Sequence, residues 1–214
     1  MLALFDLDGT LTRHDTLPAY LRGFLRAHPK RWRRLPRALP AVLRFLLGRA
    51  DHGELKSALI TAVMGGFTRS EIDEWTARFV PQLIGYGLFG DALTALEGHR
   101  GAGDYLVLLS ASPDIYVAQI GRALGFDQTL CTGFAWEAER LTGALTTANR
   151  RGAEKVRCLE ALRLQQPKLP VVAYGNAASD VAHLKLADLG VLVNGSLSAR
   201  HKAAHAGIAR LKWR

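Results

Sequence analysis

The sequence predicts an α/β fold: a mostly parallel sheet covered by helices, with an all-helical cap inserted into it. Three observations carry this expectation. Short, uninterrupted apolar runs recur along the chain, as strands buried on both faces require. Helical patterns separate those runs, so strand and helix alternate. One long segment near the N-terminus breaks the alternation and reads as helix throughout.

In chain order, Leu2–Asp6 is the first strand. Residues 15–86 follow as the helical cap, with breaks near Pro29, Pro36–Pro40, Gly48 and Gly65–Gly66. Residues 1–14 and 87–214 then form the core. Within it, helical patterns cover Gly90–His99, Pro113–Leu124, Ala153–Leu164 and Ala178–Leu186. Tyr105–Ser110 (YLVLLS), Pro170–Tyr174 (PVVAY) and Leu189–Val193 (LGVLV) are buried strands. Thr129–Trp136 reads as a further strand, with LTGALTT as the returning arm of a hairpin. A chain of 214 residues has room for one core and one inserted lobe.

The charge is localised. Ten of the 28 Lys/Arg residues and one of the 19 acids fall between Arg13 and Arg49, so the net +9 of the chain resides there. Nucleic acid is disfavoured as a partner, because Trp32 is the only aromatic interleaved with the densest run of cations, Lys30–Arg37, and the rest of the chain is neutral. Cys131 and Cys158 stand in no CxxC or Cys/His cluster and read as reduced thiols of a cytoplasmic protein. Asp6 and Asp8 interrupt the first apolar run too early for a signal peptide, and no run is long enough for a membrane span. None of the seven histidines is assigned to a metal. Nothing in the sequence fixes the oligomeric state.

Four signals fall at the carboxyl ends of the core strands, where open α/β sheets collect their chemistry. They are Asp6-Leu7-Asp8-Gly9-Thr10; Ser110 with Ala111 after it; Lys155 near a helix start; and Asn176 with Asp180 after VVAY. Alternate residues of an extended strand face one way, so Asp6 and Asp8 converge. Two like charges that close repel, and something positive must offset them. Two carboxylates with Asp180 and nearby carbonyl oxygens suit a hard divalent cation such as Mg²⁺. A lysine and a hydroxyl facing the same point suit a phosphate. One carboxylate can then attack phosphorus while its neighbour protonates the leaving oxygen.

With DxDGT, a strand-terminal Ser, the Lys of a GxxK and a G[DN]xxxD segment in that order, the chain resembles the haloacid dehalogenase-like phosphatase superfamily. The resemblance points to the subclass that contains phosphoserine phosphatase and covers essentially the whole length. It implies a Rossmann-like core and Mg²⁺ as cofactor. It implies Asp6 as a nucleophile forming an aspartyl-phosphate, and Asp8 as general acid and then base. Thr10, Ser110, Ala111 and Lys155 would hold the phosphate. Asp6, Asp8 (through its main-chain carbonyl), Asn176 and Asp180 would hold or orient the metal. The chain departs from the family at Asn176, where aspartate is usual; an amide oxygen still ligates Mg²⁺, but without the charge.

The substrate is expected to be a phosphate ester. Phosphoserine phosphatases carry a glutamate shortly after the first motif and an arginine in the cap. Here Asp15 stands nine residues after Asp6, and no cap arginine is placed. The chain also resembles phosphatidylglycerophosphatase C in its DLDGTL start, its basic, proline-broken, apolar cap and its EKVxxL stretch. Phosphatidylglycerophosphate is therefore one expected substrate, and a small ester such as histidinol phosphate or phosphoserine the other. Leu21, Phe24, Leu25, Trp32, Leu43, Phe45, Leu46 and Leu47, interleaved with the arginines, predict peripheral contact with an anionic inner membrane.

Overall fold

The computed structural model of the chain describes Met1–Arg214. Leu2–Phe5 (β1) lies at the centre of a six-stranded sheet. It pairs in parallel with Tyr105–Pro113 (β2) on one side. On the other side lies Val171–Gly175 (β6). Gln128–Thr132 (β3) extends the sheet beyond β2. Leu189–Val193 (β7) and Ala209–Leu211 (β8) extend it beyond β6. The spatial order is β3-β2-β1-β6-β7-β8, and every pairing is parallel. The chain therefore grows outward from β1 in both directions. The carboxyl end of β1 sits where the order reverses, the crevice in which such sheets bind ligands.

The period-two alternation of β1 sets its two cores. Ala3 and Phe5 point into a cluster of 30 buried side chains, Leu2 and Leu4 into one of 14 on the opposite face. Ala153–Gln165 (α7), Val181–Leu186 (α8) and Leu197–His205 (α9) cover the smaller cluster. Gly90–Gly101 (α5) and Asp114–Ala123 (α6) cover the larger one.

The larger core continues into the helices between β1 and β2. These are Thr16–Ala27 (α1), a 3₁₀-helical stretch Pro29–Ala38, Leu39–Leu46 (α2), His52–Met64 (α3) and Arg69–Tyr86 (α4). Tyr20 and Phe24 of α1, Ile60 and Met64 of α3 and Ile72 of α4 are fully buried with Phe5 and Tyr116. Removing one such aromatic, as in Phe24→Ala, costs about 3–5 kcal/mol. The helix starts are chemically marked. Asp15 caps α1 and Asp51 caps α3. Thr68 and Glu71 form a reciprocal capping box on α4.

Several expectations need correction. The strand expected over Thr129–Trp136 is two: β3 joins the main sheet, while Phe134–Glu137 (β4) turns away to pair with Arg140–Leu145 (β5). That hairpin docks on α3, where the Ser57 hydroxyl donates to the Gly143 carbonyl at 2.7 Å. Gly143 has φ +89°, and a Cβ there would stand 2.1 Å from the Thr61 hydroxyl, so only glycine fits. β2 does not end at Ser110 but runs to Pro113, with its register against β3 broken between Leu109 and Pro113. The helix expected from Ala178 begins at Val181, because the preceding residues form the turn that Asp180 holds.

The basic segment divides. Leu21, Phe24 and Leu25 face inward and are buried, since one face of α1 packs on the core. Trp32, Leu43, Leu46 and Leu47 face outward and are exposed. No helix is long and apolar enough to cross a membrane.

Candidate active site

β1 delivers Asp6 to the floor of a cleft of about 540 Å³ at the carboxyl edge of the sheet. Asp6 is almost fully buried, and both of its oxygens are engaged. Oδ1 accepts from Lys155 Nζ at 2.6 Å, and Oδ2 accepts from the Thr10 hydroxyl at 3.1 Å. Lys155, in the first turn of α7, also donates to Asp180 Oδ1 at 2.9 Å. Asp180 closes its own turn by accepting the backbone N–H groups of Ala177 (2.9 Å) and Asn176 (3.2 Å) on Oδ2. Burial, with Asp180 and Asp8 nearby, pushes the Asp6 carboxyl up to about 7, against the pull of Lys155. Burial opposes ionisation of Asp180 as well, but the Lys155 ammonium wins and holds it below the usual carboxylate range. Lys155 is itself held above the ordinary lysine value, because the two carboxylates outweigh its burial.

Asp8 lies one turn of the loop further on. Its Oδ1 accepts both the backbone N–H and the hydroxyl of Thr16, each at 2.7 Å. Its Oδ2 accepts the Ser112 hydroxyl at 2.6 Å. Thr16 has a single hydroxyl proton and spends it on Asp8, so Tyr116, 2.9 Å away, donates to Thr16. The first residue of α1 and the end of β2 thus fix this carboxylate from two sides. Gly9 completes the turn at φ +76°, and a Cβ there would lie 2.0 Å from the Asn176 side chain. Glycine is required both by the dihedral and by the approach of Asn176.

The structure brings Asp6, Asp8, Ala111, Lys155, Asn176 and Asp180 onto the cleft wall. Thr10 and Ser110 lie behind it, fully buried. Thr10 supports Asp6, and Ser110 Oγ accepts the Ser112 N–H at 3.0 Å. Their hydroxyls stand one layer back from a ligand in the cleft.

Several residues that line or support the cleft were not read from the sequence. Ser112 and Thr16 hold Asp8; the only signal was the second serine of Ser110-Ala111-Ser112. Ser179 also lines the cleft, and its hydroxyl is buried without a hydrogen-bond partner. Lys56 reaches in from α3, donating to the Ala111 carbonyl and, at 2.9 Å, to Asn149 Oδ1. Burial lowers its ammonium to about 8, against the pull of Asp8 and Asp15. With Asp15, Arg13 and Arg151 it forms the outer wall. Burial, then the charge of Asp8, raises the Asp15 carboxyl. No spacing rule connects Lys56 or Arg151 to the first motif, because loop and helix packing alone bring them there. Away from the cleft, the HKAAH of α9 sets His201 and His205 one helical turn apart with Nε2 atoms at 3.2 Å.

An acid pair at the switch point of a parallel sheet, one acid gripped by a buried lysine, defines a hydrolase of the haloacid dehalogenase type. Residues 3–185 match the family model described as haloacid dehalogenase-like hydrolase, and the chain belongs to that family. It is 33% identical over 193 residues to Protein CicA of Caulobacter vibrioides, spanning 88% of this chain and 83% of that protein. A crystal structure of a protein of unknown function from Bordetella pertussis superposes with a TM-score of 0.80, covering 98% of this chain and 97% of that one at 23% identity. A substrate-bound phosphoserine phosphatase superposes at 0.66, with 94% and 89% covered at 17% identity. The chain is thus a haloacid dehalogenase-like hydrolase of α/β fold with phosphoserine phosphatase-like structural neighbours, and the structural likenesses speak for the fold.

Proposed function

We propose that this hydrolase is a Mg²⁺-dependent phosphatase of phosphate monoesters, acting through an aspartyl-phosphate on Asp6. The observation that carries the reading is the pair Asp6 and Asp8 at the end of β1, with Lys155 bound to the first and two hydroxyls bound to the second. The two carboxylates have different partners and can take different roles. Asp6 attacks phosphorus, and Lys155 offsets the negative charge that gathers there. Asp8 gives a proton to the leaving alcohol oxygen, then removes one from the water that attacks the phosphorylated Asp6. Thr16 and Ser112 keep its oxygens in place through both steps. Lys155 and backbone groups near Ala111 meet the phosphoryl oxygens, with Thr10 and Ser110 supporting from behind. Residues 15–86 act as the cap and residues 1–14 and 87–214 as the core, the cap contributing Asp15 and Lys56 to the cleft wall and Thr16 to the support of Asp8.

The donor set suits the metal. Asp6 and Asp180 share one lysine and Asp8 lines the same cleft, which leaves the floor negative, and the unpartnered Ser179 hydroxyl lines it together with Asn176. An Asp6 oxygen, the Asp8 carbonyl and the Asn176 amide oxygen would hold Mg²⁺, with Asp180 orienting the turn that carries Asn176. When bound, the ion supplies positive charge to the phosphoryl oxygens.

The outer wall bears on the substrate. Arg13, Lys56 and Arg151 face the cleft against one acid, Asp15. Such a wall suits an ester with a second anionic group, and phosphatidylglycerophosphate, with a phosphodiester beside its terminal phosphate, has one. Asp15 is the observation that favours the second reading, a small ester with an ammonium group such as phosphoserine or histidinol phosphate. A panel of these three esters, with Mg²⁺ and with EDTA, tests the proposal. Phosphate release should vanish in EDTA and fall by orders of magnitude in Asp6→Asn and Asp8→Asn. Near wild-type turnover in a folded Asp6→Asn variant would refute the covalent mechanism.

A further inference from the structure

Helix α2, LPAVLRFL, contains one polar residue and buries none of its side chains. Leu39, Leu43 and Leu46 lie along one stripe at helical spacing, and Leu47 continues it. They are 54%, 50%, 73% and 69% exposed, and Trp32 of the preceding 3₁₀ stretch is 50% exposed. A helix this apolar ordinarily turns its stripe into a core. This one turns it to solvent.

The charge around the stripe has one sign. No acid occurs between Thr16 and Ala50. Lys30, Arg33 and Arg37 are exposed, and no carboxylate pairs with them. Arg44 pairs with Glu54 at 2.9 Å. Arg49 is exposed as well, while Arg31 and Arg34 point inward. Arg31 lies over the Phe67 ring, 4.3 Å from its centroid, and Arg34 donates to the Gly65 carbonyl at 3.4 Å.

We propose that the Pro29–Arg49 face docks on an anionic lipid surface. Exposed leucines flanked by free cations match the two layers such a surface offers, acyl chains below and anionic headgroups above. A second copy would set the same unneutralised cations against each other. A polynucleotide would pair with the cations but leave the leucines in water, and Trp32 is the only exposed aromatic of the face, since Phe45 packs on His52. The helix is far too short to span, so it lies in the plane of the interface. The face adjoins the cleft. Phe45 of α2 packs edge-on against His52 at 4.9 Å, and His52 lines the cleft mouth. This docking does not depend on the phosphatase reading.

Co-sedimentation with vesicles of equal parts phosphatidylglycerol and phosphatidylcholine tests the proposal, with pure phosphatidylcholine as control. Wild type should pellet with the anionic vesicles at low salt, leave them at high salt, and ignore the neutral ones. Each cation engaged contributes about fivefold, so Lys30→Gln/Arg33→Gln/Arg37→Gln should weaken partitioning by roughly a hundredfold. Leu43→Ser/Leu46→Ser/Leu47→Ser should abolish it. Both variants should hydrolyse a soluble aryl phosphate at the wild-type rate, since none of these residues lines the cleft. Wild type remaining in the supernatant at low salt overturns the proposal. So does a leucine variant that pellets like wild type. A wild-type dimer that the leucine substitutions convert to monomer assigns the face to a second copy instead. An oligonucleotide that wild type and the leucine variant bind equally, in the absence of vesicle binding, assigns it to nucleic acid.

Discussion

Replacing Lys155 with methionine keeps the length of the side chain and deletes its charge. The side chain is 3% exposed, and its ammonium bonds Asp6 at 2.6 Å and Asp180 at 2.9 Å, both carboxylates being nearly as buried. Breaking a buried pair from one side leaves uncompensated charge and costs about 3–5 kcal/mol. For a chain of this size each kcal/mol moves the melting midpoint by about 2–4 °C, so the expected fall is about 6–20 °C. The assay is thermal unfolding in EDTA, so that no added cation takes over the role of the lysine. The sign with pH follows from linkage. Without Lys155, the folded-state pKa of Asp6 rises further above its unfolded value, and that of Asp180, which the lysine holds below its unfolded value, rises as burial takes over. The resulting penalty grows as pH rises through the unfolded value toward the folded one, and it fades as the carboxyls take up protons. The gap between variant and wild type should therefore be widest near pH 8 and narrow toward about pH 5. A midpoint within about 2 °C of wild type at neutral pH would refute the idea that this ammonium neutralises the floor of the site.

Three further outcomes are expected. Asn176→Asp is isosteric and replaces a dipole with a charge, so calorimetric titration should show tighter Mg²⁺ binding; equal or weaker affinity would remove Asn176 from the ligand set. Lys56 faces Asp8, Asp15, Asp51 and Arg151, with His52 on its own helix, and its ammonium sits near 8. Its cationic form is lost as pH rises through that value, so kcat/KM for an ester with a second anionic group should fall above about pH 8, and Lys56→Arg should move that fall upward. A pH profile unchanged in Lys56→Arg would exclude Lys56 from substrate binding. Thr16→Val keeps the shape and the backbone donor but removes the hydroxyl that Asp8 and Tyr116 share. A hydrogen bond to a charged group is worth about 1.5–3 kcal/mol, so kcat should drop about 10- to 100-fold with KM little changed. A drop confined to KM would place Thr16 in binding rather than in positioning the acid.

The sequence by itself determined what local pattern can determine. Continuous apolar runs marked β1, β2, β6 and β7, and the prolines and glycines of residues 15–86 marked most helix breaks. The DxDGT, Lys155 and Asn176–Asp180 segments were legible because each is short and attached to the end of a readable strand or the start of a readable helix. The edge strand β8 was not legible: three exposed residues carry no alternation. Nor was the split of Thr129–Trp136 into a sheet strand and a hairpin arm, since Gly133 between them leaves the apolar character unbroken. Tertiary structure alone decided three matters of function. It chose which apolar face of the basic segment turned inward, because Phe24 and Leu25 find Phe67 and the sheet-side core while α2 finds only the outside of α3. It moved Ser110 and Thr10 behind the wall and put Ser112 on it, through a register break that no spacing announces. It carried Lys56, fifty positions from Asp6, over the same cleft. Side chains that meet across such separations are joined by packing and loop closure, which depend on the whole chain, and not by the three- or two-residue periodicities that a sequence displays.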